Sequence, residues 1–419
     1  MSVKTTAFLS AWLIFAASPS ALAATLCVNP AGTGGCLTSI QAAVTAAAVH
    51  DTIQVAKGTY DEDVVIGKSL SLVGSNQSNT IIDATGQANG VYIDGIDNPG
   101  LRSVVVSGFS VRNANLEGIL VANASSVTVS GNIVSDNDKA FVPTTETCPG
   151  TPIFETAEDF DCGEGIHLLG ADHSIVANNL VEDNAGGILI SDDTARADHN
   201  LVSGNTVRKN QFDCGITLAS HPPATLTGSS TPLGVTGNTI SGNLSTLNGL
   251  SVLGAGAGVG IFDSVPGTTA SGNVVINNTI TYNGLPGIAM HSHTPGQNLK
   301  NNVLVGNTIS GNAADTDDAA TSGPTGINVF GVSAASGTII SGNTITNESL
   351  DVVVNTPTSA NVNLNNLIGK GIGVQNLSTG TVDATQNWWG CSKGPGGSGC
   401  TTISGPGTVL STPFAGKKF

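Results

Sequence analysis

The feature that most constrains the fold is a repeat built around the dipeptide Gly-Ile. It opens seven predicted strands, at Gly118, Gly165, Gly187, Gly215, Gly260, Gly287 and Gly326. Successive glycines are 22 to 47 residues apart, and between them recurs a second element that ends in Gly-Asn. A period of this length indicates a solenoid, and its short strands predict stacked coils in which each coil pairs with its neighbours.

The composition explains how such coils can form. Glycine and asparagine adopt the left-handed conformation that turns a chain between sheets, and stacked asparagine side chains can hydrogen-bond from coil to coil. Gly accounts for 54 of 419 residues and charged residues for 11%, which favours strands and turns over helices. An antiparallel sandwich would instead show turns every ~8–12 residues without a long period. The sequence therefore predicts an all-β, single-stranded right-handed parallel β-helix.

Both ends of the stack need a cap, because a terminal coil exposes its core and unpaired strand edges. The segment 38–48 is a good helix former with Thr38 as its N-cap, and we expect it to cover the N-terminal end. Trp389 and a Cys391–Cys400 loop are expected to plug the last coil, with Trp389 as a sugar-stacking surface the alternative. The predicted divisions are 24–100 for the N-terminal cap and first coils, 101–380 for the repeats and 381–419 for the C-terminal cap.

Residues 1–23 are predicted to be a signal peptide, since Lys4 precedes an apolar run and a small-x-small cleavage site ends at Ala23. The mature protein would then be secreted or periplasmic. No later stretch approaches about 20 apolar residues, so membrane insertion is not expected. Without Lys4, 13 basic residues remain against 30 acidic ones, a net charge near −17. This charge disfavours nucleic acid and anionic lipid, and also free polyuronates unless a divalent cation bridges them.

Seven cysteines in an exported chain should mostly pair, with one left over. Cys27–Cys36 and Cys391–Cys400 are short-range candidates near the two ends. Among the other three, Cys148–Cys162 is the preferred bridge because it closes a single loop. Cys162–Cys214 is the alternative, since both cysteines lie in an Asp-Cys-Gly sequence beside a strand.

The N-terminal segment resembles the opening of pectin methylesterases and of NosD-type β-helix proteins, which share the pectin-lyase-like fold. The matching residues are Ile40-Gln41-Ala42-Ala43-Val44, Gly58-Thr59-Tyr60 and Leu72-Val73-Gly74. Through the repeat, the resemblance to this superfamily extends over the mature chain, and it implies a fold rather than an activity. The catalytic motifs of pectin methylesterases, pectate lyases and alginate epimerases are missing, and only Asp192-Asp193 matches a polygalacturonase motif.

Four predicted insertions flank the Gly-Ile strands. Those at 135–163, 244–258 and 312–324 precede a strand, and that at 221–232 follows one. Loops on both borders of one sheet would wall a groove over its outer face, which by analogy suits an extended polysaccharide. Alternation along the strands, together with positions just past their ends, predicts five glycan-binding residues: His167, Thr217, Phe262, His291 and His293.

Two kinds of chemistry are conceivable in this groove. Asp192, Asp193 and His221 could act as acid and base in glycoside cleavage or uronate proton abstraction, or they could be solvated turn residues. Asp159, Asp161 and Glu164 belong to an acidic loop that could bind Ca²⁺ or could simply be solvated.

Two functions remain open from the sequence. The favoured one is an exported protein that binds a polysaccharide or cell-surface glycan, or that forms a stiff structural rod. The alternative is a polysaccharide-active enzyme, either a hydrolase, a lyase or an epimerase. The scarcity of basic residues in the repeats counts against a lyase, which needs cations to neutralise the uronate.

Overall fold

The computed structural model describes residues 23–155, 161–251, 256–316 and 319–419. Its named strands are parallel, each pairs with strands one coil away, and together they form a right-handed parallel β-helix. Three sheets of 14, 12 and 11 strands run along the stack beside a short three-stranded sheet. The fold predicted from the repeat is therefore confirmed. The predicted signal peptide lies outside the described residues except for Ala23.

The strands are grouped here by sheet. The 14-stranded sheet contains Thr25–Val28, Thr52–Val55, Ser71–Gly74, Val105–Ser107, Thr128–Ser130, Ile175–Ala177, Leu201–Ser203, Thr239–Ser241, Val274–Ile276, Val303–Val305, Ile339–Ser341, Ala360–Asn363, Thr381–Asp383 and Thr408–Leu410. The 12-stranded sheet, called the Gly-Ile sheet below, contains Val64–Ile66, Val91–Asp94, Ile119–Ala122, Glu164–Leu169, Gly186–Ser191, Ile216–Ser220, Val259–Asp263, Ile288–Ser292, Thr325–Gly331, Leu350–Asn355, Ile372–Asn376 and Thr402–Ser404. The 11-stranded sheet contains Gly58–Tyr60, Thr80–Asp83, Ser110–Arg112, Ile133–Ser135, Leu180–Glu182, Thr206–Arg208, Leu244–Thr246, Thr279–Thr281, Thr308–Ser310, Thr344–Thr346 and Asn366–Ile368.

The remaining elements are short. The three-stranded sheet consists of Ala197–Asp198, Val235–Thr236 and Ala270–Ser271. Among the described residues, an α-helix spans Ile40–Ala46, and 3-10 helices span Thr33–Gly35 and Thr225–Thr227. Within the described part of the chain, no helix has the length and apolar character needed to cross a membrane.

The glycine of each Gly-Ile strand is required by close packing rather than by a left-handed backbone. A Cβ atom at Gly118 would lie 2.3 Å from Val134, and one at Gly165 would lie 2.3 Å from Val181. The glycines of the Gly-Asn element, by contrast, do turn the chain in the left-handed region, as at Gly131 with φ of 64°. One strand departs from the predicted register, because Val259 rather than Ile261 pairs with Ile288.

Asparagine side chains stack along three corners of the helix. In each stack the side-chain oxygen accepts a hydrogen bond from the backbone N–H of the asparagine one coil earlier. The first ladder runs through Asn132, Asn179, Asn205, Asn243, Asn278, Asn307, Asn343, Asn365 and Asn387. The second contains Asn137, Asn184, Asn210, Asn248, Asn283 and Asn312, and the third contains Asn200, Asn238, Asn273 and Asn302. The ladders therefore supply polar partners for buried turns.

Both caps are present. The helix packs Ile40, Ala43 and Val44 inward, but its N-cap is Ser39 and not Thr38, because the Ser39 side chain accepts from the Ala42 N–H at 3.1 Å. At the other end, Trp389 is fully buried in the central core. This burial excludes Trp389 as a sugar-stacking surface and supports its role as a plug.

Three disulfides close loops in the structure. They join Cys27 to Cys36, Cys148 to Cys162 and Cys391 to Cys400, which are the pairings preferred from the sequence. Cys214 is a buried free thiol. The alternative Cys162–Cys214 bridge is therefore wrong.

Candidate functional site

The outer face of the Gly-Ile sheet carries most of the residues singled out from the sequence, but much of this face is covered. His167 and Thr217 lie outside the central core, as the alternation predicted, yet each is only 3% exposed. His291 is equally buried. The prediction that His167 and Thr217 lie on the open floor of a groove is therefore wrong. His291, predicted just past a strand end, instead lies within the strand Ile288–Ser292.

The insertion that follows the strand Ile133–Ser135, at 136–163, covers part of this face with its described residues 136–155 and 161–163. Its Phe141, Cys148 and Cys162 form an apolar cluster with Leu116 and Ala185. Its Phe154 stacks on Tyr92 of the sheet, with ring centroids 6.1 Å apart. Because burying these apolar side chains is favourable, the described part of the insertion packs onto the sheet instead of standing as the wall of a groove.

A chain of hydrogen bonds crosses three neighbouring coils beneath this insertion. The Nε2 atom of His167 lies 2.8 Å from the hydroxyl of Ser191, which donates to Asp193. The Asp193 carboxylate lies 3.2 Å from Nδ1 of His221, and the Nε2 atom of His221 lies 2.6 Å from Asp161. Two of the predicted catalytic residues, Asp193 and His221, are thus in direct contact.

The third predicted catalytic residue, Asp192, has a structural role in this arrangement. Its carboxylate accepts hydrogen bonds from the Ser220 hydroxyl and from the backbone N–H groups of His221, Leu233 and Gly234. These contacts hold the two ends of the insertion at 221–232 against the end of a strand. Because its oxygens are engaged by these donors, the geometry does not support Asp192 as an acid or base.

Four further carboxyl groups lie around the chain of hydrogen bonds. Glu117, Glu155 and Glu164 are buried, and within the described residues none of their oxygens accepts a hydrogen bond of normal geometry. The Asp213 carboxylate accepts from the Thr217 hydroxyl at 3.4 Å. Burial raises the pKa of Glu117 and of Asp213 to about 7, and it raises the pKa of Glu155 and of Glu164 well above the usual value. Carboxyl groups shifted in this way are enriched at functional sites.

Glu117 and Asp213 were missed by the sequence analysis, although the repeat contained a signal for each. Glu117 and Glu164 both precede the glycine of a Gly-Ile strand, and the pairing of these strands places them on adjacent coils. Asp213 precedes Cys-Gly, as Asp161 does. Equivalent positions in a repeat become neighbours in a solenoid, so acidic residues at such positions predict a cluster.

Some of these groups could hold a cation. Two sets offer ligand atoms within 4.8 Å of one another: Glu117, Glu155 and His167, and Asp161, Glu164 and Asp213. Two of the three predicted calcium ligands, Asp161 and Glu164, thus fall in a set of oxygen donors, which is the type that Ca²⁺ prefers. The third, Asp159, lies outside the described residues.

A second group of predicted residues lies further along the same face. Phe262, His291 and Phe330, called the ring row below, occupy paired positions on three successive strands. Their ring centroids are 5.3 Å and 5.9 Å apart. Phe262 and Phe330 are partly exposed, whereas His291 is buried between them with Nε2 3.0 Å from Asp315. Partly exposed His293 lies beside His291, with ring centroids 5.7 Å apart.

The carboxyl group of Asp263, next to Phe262, predicts how stability depends on pH. One oxygen accepts from the Asn298 N–H at 2.9 Å, and burial raises the pKa of Asp263 to about 8. The unfolded value is ~3.9, so the folded protein binds this proton more tightly. The stabilisation of the folded protein by this proton is fully present below pH ~4 and is lost as the pH rises toward 8. Between pH 5 and 8, this group makes the unfolding free energy of wild type fall by up to about 1.4 kcal/mol per pH unit. We expect Asp263→Asn to lack this part of the fall.

Thermal and urea unfolding at pH 5, 6, 7 and 8 measures this slope. Asp383→Asn is the control, because hydrogen bonds from Thr385 lower the pKa of Asp383 and confine its effect to acid pH. A slope for Asp263→Asn that equals the slopes of wild type and of Asp383→Asn would contradict the prediction.

Comparison with known proteins agrees with this architecture. A family model described as "Right handed beta helix region" matches residues 71–275. An alginate lyase from Paenibacillus sp. str. FPU-7 shares 16% identity at a TM-score of 0.51, over 83% of this chain and 97% of that one. The A-module of a mannuronan C-5 epimerase from Azotobacter vinelandii shares 15% identity at a TM-score of 0.49, over 89% of this chain and 94% of that one. No curated protein matches the sequence. At such low identity, the similarity to solved structures concerns the fold and not an activity.

Proposed function

We propose that this right-handed parallel β-helix of the pectin-lyase-like fold is an exported protein that binds a glycan along the ring row. The observation that carries the proposal is the alignment of Phe262 and Phe330 on alternate coils, each with part of its ring exposed. Sugar rings pack their apolar faces on partly exposed aromatic side chains. Three disulfides favour export, because such bonds persist in oxidising compartments.

The charge of the protein favours a neutral or weakly charged glycan. The chain carries a formal net charge of −16, so an anionic polysaccharide would be repelled unless cations screened or bridged it. Near the rings, the partly exposed imidazole of His293 supplies a polar group that could orient a sugar hydroxyl. The alginate lyase of similar fold makes alginate a useful anionic probe beside neutral ones.

Phe262→Ala is expected to weaken binding to the recognised glycan by about 1–3 kcal/mol, through lost stacking area. The ring also packs against Cys214, Ala257 and Leu285, so a modest loss of stability accompanies the loss of affinity. The probes are xylan, dextran, mixed-linkage β-glucan, alginate and polygalacturonate, tested by affinity electrophoresis and then by calorimetry.

Tyr282→Ala is the matched control, because Tyr282 is an exposed aromatic residue outside the ring row. We expect this variant to bind like wild type. Equal affinity of wild type and Phe262→Ala would place glycan binding elsewhere, and the lack of retardation of wild type by any of the five polysaccharides would refute the proposal.

A polysaccharide-active enzyme is the second candidate, and the contact between Asp193 and His221 is what favours it. These residues would serve as acid and base, with His167 linked to them through Ser191. Both lie beneath covering residues in the structure, so binding at the ring row is the better supported function. The same five polysaccharides, assayed for reducing sugar and for unsaturated products with and without Ca²⁺, distinguish the two functions. Turnover that Asp193→Asn abolishes without loss of binding would favour the enzyme.

A further inference from the structure

Glu117, Glu155 and His167 converge where the 136–163 insertion meets the Gly-Ile sheet, and His167 lies three coils away from Phe262 of the ring row. Glu117 lies two residues before the first residue of the strand Ile119–Ala122, and His167 lies in the strand one coil further on. Glu155 belongs to the insertion. One ligand atom of each residue lies within 4.8 Å of those of the other two. Three separate segments of the chain thus direct polar atoms toward one point.

These polar atoms are buried, and the Glu117 carboxylate has only weak contacts with the backbone N–H groups of Glu117 itself and of Gly163. The relative exposure is 0% for Glu117, 8% for Glu155 and 3% for His167. Neither carboxylate accepts a hydrogen bond of normal geometry, and Nδ1 of His167 has no hydrogen-bond partner within the described residues. No lysine or arginine in that part of the chain forms an ion pair with either glutamate. Buried carboxyl groups normally have a polar or charged partner, so this cluster would be stabilised by a positively charged ligand.

The neighbouring hydrogen bonds fix the imidazole in the form that binds metal ions. The Ser191 hydroxyl gives its proton to Asp193, so its oxygen must accept from the Nε2–H of His167. The lone pair of His167 is then on Nδ1, the unpartnered atom. A ligating histidine typically has its other ring nitrogen held in this way by a hydrogen-bond acceptor.

We propose that Glu117, Glu155 and His167 bind a divalent transition-metal ion such as Zn²⁺ or Mn²⁺. One imidazole nitrogen and two carboxylates suit these ions better than Ca²⁺ or Mg²⁺, which favour oxygen ligands alone. Donors about 2.1 Å from one ion lie at most ~4.2 Å apart, so small rotations of the glutamate side chains bring the three groups into range. The ion would neutralise the buried carboxylates and tie the insertion to the sheet.

The test uses the full mature protein after dialysis against a chelator. Calorimetric titration with Zn²⁺, Mn²⁺, Ca²⁺ and Mg²⁺ is expected to show one Zn²⁺ or Mn²⁺ per chain, bound at least 10-fold more tightly than Ca²⁺ or Mg²⁺ and accompanied by a higher melting temperature. Glu117→Gln and Glu155→Gln, which preserve shape, should each weaken Zn²⁺ binding at least 10-fold. Glu182→Gln is the control, because Glu182 pairs with Arg208 on another sheet.

Two further variants make the outcome decisive. With Co²⁺ as a visible probe, His167→Gln should change the d–d absorption spectrum, because the nitrogen ligand is lost. If Glu164→Gln weakens Zn²⁺ binding while Glu117→Gln binds Zn²⁺ like wild type, the ion lies at Asp161, Glu164 and Asp213, and the proposal is overturned. The lack of stoichiometric Zn²⁺ or Mn²⁺ binding by wild type would also overturn it. Circular dichroism confirms that each variant is folded, and glycan binding at the ring row is measured separately, so that either proposal can fail alone.

Discussion

Ile188→Asp is expected to unfold at least the coil that contains it. Ile188 is 1% exposed, points into the central core, and is paired with Ile166 and Ile216 on the neighbouring coils. An aspartate there would bury a charge without a partner in a core only a few side chains wide. The cost is several kcal/mol, which is a large part of the stability of a typical domain. Urea unfolding followed by circular dichroism measures the loss.

Ile175→Asp is the matched control for this substitution. Ile175 lies in the 14-stranded sheet, and its side chain is 39% exposed on the outside of the stack. The same change of residue therefore places a charge in solvent, and we expect a change in unfolding free energy within about 0.5 kcal/mol. Equal destabilisation by the two substitutions would show that the assignment of inward and outward positions is wrong.

Asn243→Ala is expected to have the next largest effect, because it interrupts the longest asparagine ladder. The Asn243 side-chain oxygen accepts from the backbone N–H and the side-chain amide of Asn205, and its own amide donates to the Val202 carbonyl and to Asn278. Alanine leaves these buried groups without partners. Each unpaired group costs about 1–3 kcal/mol, so the total loss is several kcal/mol unless water enters the turn.

Asn361→Ala provides the comparison for the ladder. Asn361 is exposed and lies in the strand Ala360–Asn363, outside the ladder. Its replacement is expected to change the unfolding free energy by less than about 0.5 kcal/mol. If Asn243→Ala lowers the unfolding free energy by no more than Asn361→Ala does, the ladder does not contribute to stability. The urea concentration at the midpoint of unfolding measures the stability of both variants, provided that the dependence of the unfolding free energy on urea concentration is unchanged.

The pairing of coils links these effects to the candidate sites. Each position on the Gly-Ile sheet lies beside the equivalent position one coil away, although the two are at least 22 residues apart along the chain. A disturbed core or ladder therefore changes the alignment of side chains on the outer face. This coupling is the reason that each binding experiment above includes a variant that keeps the fold.

The sequence by itself determined the architecture and the inward positions, and it favoured the cysteine pairs that form, although only the structure excluded Cys162–Cys214. Period and alternation are local properties of the chain, and they set which side chains face the core before any distant contact is known. The isoleucines of the Gly-Ile strands, such as Ile188 and Ile261, face the core for this reason, even though the strand of Ile261 is shifted by two residues from the register of the repeat. A shift by two leaves the same side chains inward.

Only the tertiary structure decided what lies on the outer face. The insertion at 136–163 has no repeat to constrain it, and its apolar residues close it over His167 instead of leaving a groove. Whether an aspartate is free or engaged also depends on distant backbone groups, as for Asp192 and Gly234, which are 42 residues apart. The convergence of Glu117, Glu155 and His167 likewise depends on how an irregular loop packs across two coils. Long-range packing of loops is not encoded in a local pattern, so these contacts became visible only in three dimensions.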